Sequence, residues 1–163
     1  MPRGLSPVRA FSTYNVEFPY RAAPSAHILL VDDDPGVRDT VTFLLEHAGY
    51  RVGCAADGEA GWHALCADPS DLLITDYEMP KLTGLELLRR VRAVSRRLPA
   101  ILMSGNPPQG EADLESLLHP GAVVPKPFSV GALLAKVREL LHGSLAGSST
   151  ELWEDWSRAS RLI

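Results

Sequence analysis

The chain has 163 residues, 45% of them hydrophobic and 22% charged, with a net charge of −4 at neutral pH, the composition of an ordinary globular protein with room for one core. No apolar stretch approaches the ~20 residues of a membrane span and the first residues lack the apolar centre of a signal peptide, so no membrane insertion is expected and the cytoplasm is the expected compartment. From His27 to His142, 16 acidic residues stand against 11 basic ones, which argues against a direct nucleic-acid surface.

Residues 1–26 carry Pro2, Pro7, Pro19 and Pro24 with no sustained hydrophobic period, which predicts a mobile leader. From His27 short apolar runs alternate with amphipathic segments, the pattern of a β-α-β-α chain building a parallel sheet. Strands are expected over 27–32, 51–55, 71–75, 100–104 and 122–125. Asp34 should cap the first helix, Pro35 suits its first turn, and Gly49 should end it. Val37, Val41, Leu44, Leu45 and Ala48 recur on one face of that helix. Further helices are expected near 58–67, 84–97, 111–118 and 129–142. The apolar stripe of the last, from Val130 to Leu141, reads as core. On the third helix Arg89, Arg92 and Arg96 share a face, read as solvated, with docking of an acidic partner as the alternative. Cys54 and Cys66 form no C-x-x-C pair and the five His residues are scattered, so the cysteines read as small hydrophobes and not as a zinc site or a disulfide.

Two of the apolar runs stop on carboxylates. Ile28-Leu29-Leu30-Val31 runs into Asp32-Asp33-Asp34, and Leu72-Leu73-Ile74-Thr75 ends on Asp76. If the two strands lie parallel and adjacent, Asp32, Asp33 and Asp76 meet at the carboxyl edge of the sheet, where open α/β folds bind ligands. Crowded carboxylates repel one another, so such a site calls for a divalent cation, and Lys126 could add positive charge for an arriving anion. Read singly, Asp34 is a helix cap and Ser104, before Gly105, is an ordinary turn residue at a strand end.

Taken together, Val31-Asp32-Asp33, Asp76-Tyr77-Glu78-Met79-Pro80 with Gly84, Leu102-Met103-Ser104-Gly105, and Lys126-Pro127-Phe128 resemble the receiver domain of two-component response regulators. Four separated motifs in the right order carry the resemblance. It implies a CheY/flavodoxin-like doubly wound (βα)5 fold over residues 27–142, with a five-stranded parallel sheet in the order 2-1-3-4-5. By the same resemblance Asp76 is the phosphoacceptor in a Mg²⁺-dependent reaction. Asp33 and Asp76 would ligate the metal directly, Asp32 directly or through water, and Glu78 through its backbone carbonyl. Ser104 and Lys126 would each hold a phosphoryl oxygen, and the Lys126–Pro127 bond would be cis. The donor would be a sensor histidine kinase or a histidine phosphotransfer protein, and the output contact with an unidentified downstream protein.

The chain departs from the family pattern where an aromatic usually stands three residues before the lysine; here it has Val123. That puts the usual hydroxyl-aromatic coupling in question, and Pro107-Pro108 stiffens the loop after Ser104. Residues 143–163 read as a small-residue linker and a short tail, so a stand-alone receiver is expected. Ser148 and Glu151 have capping-box spacing, and Leu152, Trp156, Ala159 and Ile163 fall on one helical face, a stripe that could bind a partner or form a homodimer. Two rival functions remain: a receiver-like interaction module that no longer uses phosphate, and a phosphatase of the haloacid dehalogenase type built on Asp32-Asp33-Asp34, Ser104 and Lys126. The second leaves Asp76 without a role.

Overall fold

A computed structural model describes residues 26–95, 97–106 and 111–143. The order is β1 (His27–Val31), α1 (Pro35–His47), β2 (Arg51–Ala55), α2 (Gly58–Ala67), β3 (Leu72–Asp76), α3 (Gly84–Val94), β4 (Ala100–Ser104), α4 (Leu114–Leu118), β5 (Gly121–Pro125) and α5 (Val130–Gly143). All paired strands are parallel and the sheet order is β2-β1-β3-β4-β5, as the resemblance implied. The expected leader, and the linker and tail from residue 144 on, lie outside the described residues.

The alternation of side chains along each strand divides the core in two. Leu29, Val31, Leu73 and Leu102 face one way and pack with Leu65 of α2, Leu87, Leu88 and Val91 of α3 and Leu118 of α4. Ile28, Leu30, Leu72, Ile74, Ile101 and Met103 face the other and meet Val41 and Leu45 of α1 and Leu133 and Val137 of α5. The three central strands are buried throughout, whereas β2 and β5 at the sheet margins are not. Each fully buried leucine contributes roughly 2 kcal/mol by leaving water, so the two layers hold the strand ends in fixed register.

Caps set most helix starts. Asp34 accepts the N–H groups of Gly36 and Val37 at 2.7 and 3.1 Å, with Pro35 in the first turn, and Gly49 follows the helix at φ 93°. Thr83 and Glu86 make a reciprocal capping box at the start of α3.

Two helices differ from the sequence expectation for tertiary reasons. The third ends at Val94 and not at 97, because Arg92 turns back to the carbonyls of Ser95 (3.4 Å) and Leu98 (2.7 Å), and Ser95 is extended. The fourth begins at Leu114 and not at 111. Asp113 makes no side-chain cap, since its carboxylate and that of Glu111 are engaged by Arg89 at 3.2 and 2.9 Å.

The arginine face is solvated in part: Arg89 stays exposed while it pairs with Glu111 and Asp113, whereas Arg92 is half-buried. Arg92 also donates to the Leu117 carbonyl at 2.6 Å, and burial pulls its pKa down to about 10, which leaves it charged at neutral pH. Arg96 lies outside the described residues. Cys54 and Cys66 are both free thiols; Cys54 sits exposed on the marginal strand β2, its thiol 3.0 Å from the Thr42 hydroxyl.

Candidate phosphoacceptor site

The register of the sheet brings the motif residues to one edge. Val31 pairs with Thr75, Asp76 with Met103 and Ser104 with Pro125. Asp32 follows β1, Asp76 ends β3, Ser104 ends β4 and Lys126 follows β5. The strand order reverses between β1 and β3, the place where doubly wound sheets open a crevice.

Carboxylate oxygens of Asp32, Asp33 and Asp76 all lie within 4.8 Å of one another. Asp32 is fully buried, Asp76 is 7% exposed and Asp33 is open to solvent. At that separation two unit charges repel by about 3 kcal/mol in an effective dielectric of ~20, so the arrangement needs cations. Lys126 supplies one. Its ammonium lies 2.9 Å from Asp32 Oδ2 and 2.7 Å from Asp76 Oδ1. Three carboxylates and one ammonium still leave an excess of negative charge, and an all-oxygen anionic donor set at a sheet edge suits a hard divalent cation such as Mg²⁺.

The electrostatics of the two central groups follow from this crowding. Burial raises the pKa of Asp76; Lys126 opposes that, and the charges of Asp32 and Asp33 add to it, leaving the group above its ordinary value. For Lys126 burial acts downward, but its bonds to Asp76 and Asp32 prevail and hold its pKa above the usual lysine value.

The surrounding backbone fixes these side chains. Asp32 Oδ1 accepts the N–H of Asp34 at 2.9 Å, and its carbonyl accepts Arg38 Nη1 at 2.7 Å. Lys126 N–H donates to the Ser104 carbonyl at 2.7 Å, and Tyr77 N–H to the Met103 carbonyl at 2.8 Å. Gly84 is required by packing, because a Cβ there would lie 2.0 Å from the Asp76 carbonyl oxygen. The Lys126–Pro127 peptide is cis, as the resemblance implied, and so is His119–Pro120.

The two remaining sequence-derived residues, Ser104 and Glu78, lie at the end of β4 and just past the end of β3. Ser104 is buried, and its hydroxyl donates to the Asn106 carbonyl. Glu78 is exposed on the loop after β3; the Tyr77 and Pro80 carbonyls in that loop accept the N–H groups of Gly84 and Leu82. Val123 pairs in register with Leu102 and packs, half-buried, on the α2-α3-α4 side of the core. Arg38 was not legible as part of the site: only the turn at Asp34, which brings the start of α1 back over β1, puts its guanidinium on the Asp32 carbonyl.

Comparison with known proteins agrees with this geometry. The response regulator receiver domain family matches residues 28–138. The chain belongs to this family. Receivers are phosphoacceptor signalling domains of two-component systems, and neither rival function is favoured by the match. The response regulator MprA of Mycobacterium ulcerans is 37% identical over 119 residues, covering 72% of this chain and 50% of that protein. The chain thus spans about half the length of the curated relatives it matches. Among solved structures, a CheY-like receiver from Methanospirillum hungatei superposes with a TM-score of 0.68 at 27% identity, over 75% of this chain and 98% of that one. The chemotaxis protein CheY4 of Vibrio cholerae gives 0.66 at 28% identity, over 71% and 98%. Among the described residues no helix is long and apolar enough to cross a membrane.

Proposed function

We propose that residues 27–142 form a cytoplasmic receiver whose Asp76 takes a phosphoryl group from the phosphohistidine of a sensor histidine kinase or histidine phosphotransfer protein. The observation that carries this reading is the convergence of Asp32, Asp33 and Asp76 on one sheet edge, with Lys126 between the two buried carboxylates. Asp33 and Asp76 would hold Mg²⁺ directly, Asp32 directly or through water, and Glu78 through its carbonyl. Bound there, Mg²⁺ supplies the charge neutralisation that lets an anionic phosphoryl group approach a carboxylate.

An Asp76 oxygen attacks phosphorus, the P–N bond to the donor imidazole breaks with its electron pair left on nitrogen, and an acyl phosphate remains on Asp76. Lys126 has only to shift its ammonium from carboxylate to phosphoryl oxygen, both within reach of one flexible stem. Ser104 releases the Asn106 carbonyl and donates to a second phosphoryl oxygen. That exchange frees the start of the β4–α4 loop, and it gives a route to the surface that does not depend on the size of Val123. The chemistry is limited to self-phosphotransfer and autodephosphorylation, and the signal passes by contact with a downstream protein or a second copy.

Incubation with a small-molecule phosphodonor, with and without Mg²⁺, followed by intact-mass measurement, tests the reading. One added phosphoryl group is expected, and only with Mg²⁺. A chain that stays unlabelled under conditions that label other receivers would instead be an interaction module that does not use phosphate.

A further inference from the structure

The loop from Tyr77 to Thr83, which joins β3 to α3, carries the proposed Glu78 ligand on its backbone. At its crest Lys81 has φ 67°, a left-handed conformation that disfavours any residue with a side chain relative to glycine. The lysine side chain has a partner. Its Nζ lies 2.6 Å from Asp57 Oδ2, and the other oxygen of Asp57 caps α2 by accepting the Ala60 N–H at 2.8 Å.

Next to the cap, α2 touches the loop directly. A Cβ on Gly58 would fall 2.3 Å from the Leu82 carbonyl oxygen, so only glycine allows this approach. Met79 and Leu82 are buried beneath the loop. The loop is thus fixed to the β3 end through Gly84, to the core through Met79 and Leu82, and to α2 through Gly58. The Asp57–Lys81 pair lies at its crest, where the backbone conformation is least favourable.

We propose that Asp57 and Lys81 are a positioning pair for the metal site: together they hold the Tyr77–Thr83 loop so that the Glu78 carbonyl meets Mg²⁺ without reorganisation. The proposal rests on the metal site described above. A sparse site gains affinity when its ligands are held in place before the ion arrives, and groups that support a ligand govern affinity without touching the metal.

Charge and position make opposite predictions for one of two variants of this pair, Lys81→Met, which permits a clean test. Asp57→Asn leaves the Lys81 charge near the site, whereas Lys81→Met leaves the Asp57 charge. A purely electrostatic role would make the first weaken Mg²⁺ binding and the second strengthen it. A positioning role makes both weaken it, by about tenfold, the low end for support of a ligating group. Asparagine caps helices as well as aspartate does, so Asp57→Asn spares the start of α2.

The experiment is a Mg²⁺ titration of the full chain, wild type and variants, by calorimetry or intrinsic fluorescence, with thermal unfolding alongside. Weaker binding in both variants, restored in Lys81→Arg and smaller at high salt, is the expected result. Effects of opposite sign, or binding unchanged in both, overturn the positioning role while leaving the metal site standing. A wild-type chain that binds no Mg²⁺ removes the metal site and this proposal with it.

Discussion

Lys126 and Asp76 are 50 residues apart in sequence yet meet at 2.7 Å, ammonium to carboxylate, at the end of the sheet. The same ammonium holds Asp32 at 2.9 Å, so it occupies the space between the carboxylates that a metal would also neutralise.

Replacing Lys126 with methionine should therefore have two opposite effects. Loss of the counter-charge to two largely buried carboxylates lowers stability by about 2 kcal/mol, read as a shift in urea midpoint. Removal of a competing cation tightens Mg²⁺ binding several-fold, read by titration. Phosphoryl acceptance should nevertheless slow, because the variant no longer offers a charge to the incoming group.

The crowded site should cost the metal-free fold some stability. A carboxyl whose folded pKa lies above its unfolded value favours the fold in its protonated form, and that contribution is lost as pH rises through the folded pKa. Asp76 is such a group. In chelator, Asp76→Asn should raise the melting temperature by roughly 3 °C at neutral pH, and the gain should vanish in acid, below about pH 4, where wild-type Asp76 is protonated as well. A variant no more stable at neutral pH would mean that Lys126 fully offsets the repulsion.

Asp113 behaves in the opposite sense. The hydrogen bonds from Arg89 hold its pKa below the ordinary value, so its contribution is present above the unfolded pKa and lost as pH falls through the folded one. Acid should loosen the link between α3 and the segment before α4. Hydrogen exchange at Leu114 to Leu118 should rise, relative to the intrinsic rate, below about pH 4 in the wild type. In Arg89→Met it should already be raised at neutral pH and change less on acidification.

The strand ends were legible because their signal is local. Ile28 to Val31 and Leu72 to Thr75 are buried on both faces, so they appear as unbroken apolar runs, and the carboxylates that stop them can only lie at the sheet edge. Asp34 and Pro35 announce the first helix through short-range capping chemistry. What the sequence concealed depends on residues that meet across the fold. The end of α3 is set by Arg92 reaching Leu98 and Leu117, and the late start of α4 by Arg89 drawing Glu111 and Asp113 away from capping. No periodicity encodes the Asp57–Lys81 contact. Cys54 is exposed because β2 is a marginal strand, which its composition alone does not reveal.

The most direct test of the account is to locate the phosphoryl group. Wild-type chain and Asp76→Asn would be treated with a small-molecule phosphodonor and Mg²⁺, weighed intact, and mapped by peptide mass spectrometry after borohydride reduction of the acyl phosphate. One phosphoryl group per wild-type chain is expected, on the peptide holding Asp76, and none on the variant. Labelling of Asp76→Asn at the wild-type rate, or reduction mapped to Asp32 or Asp33, would contradict this expectation.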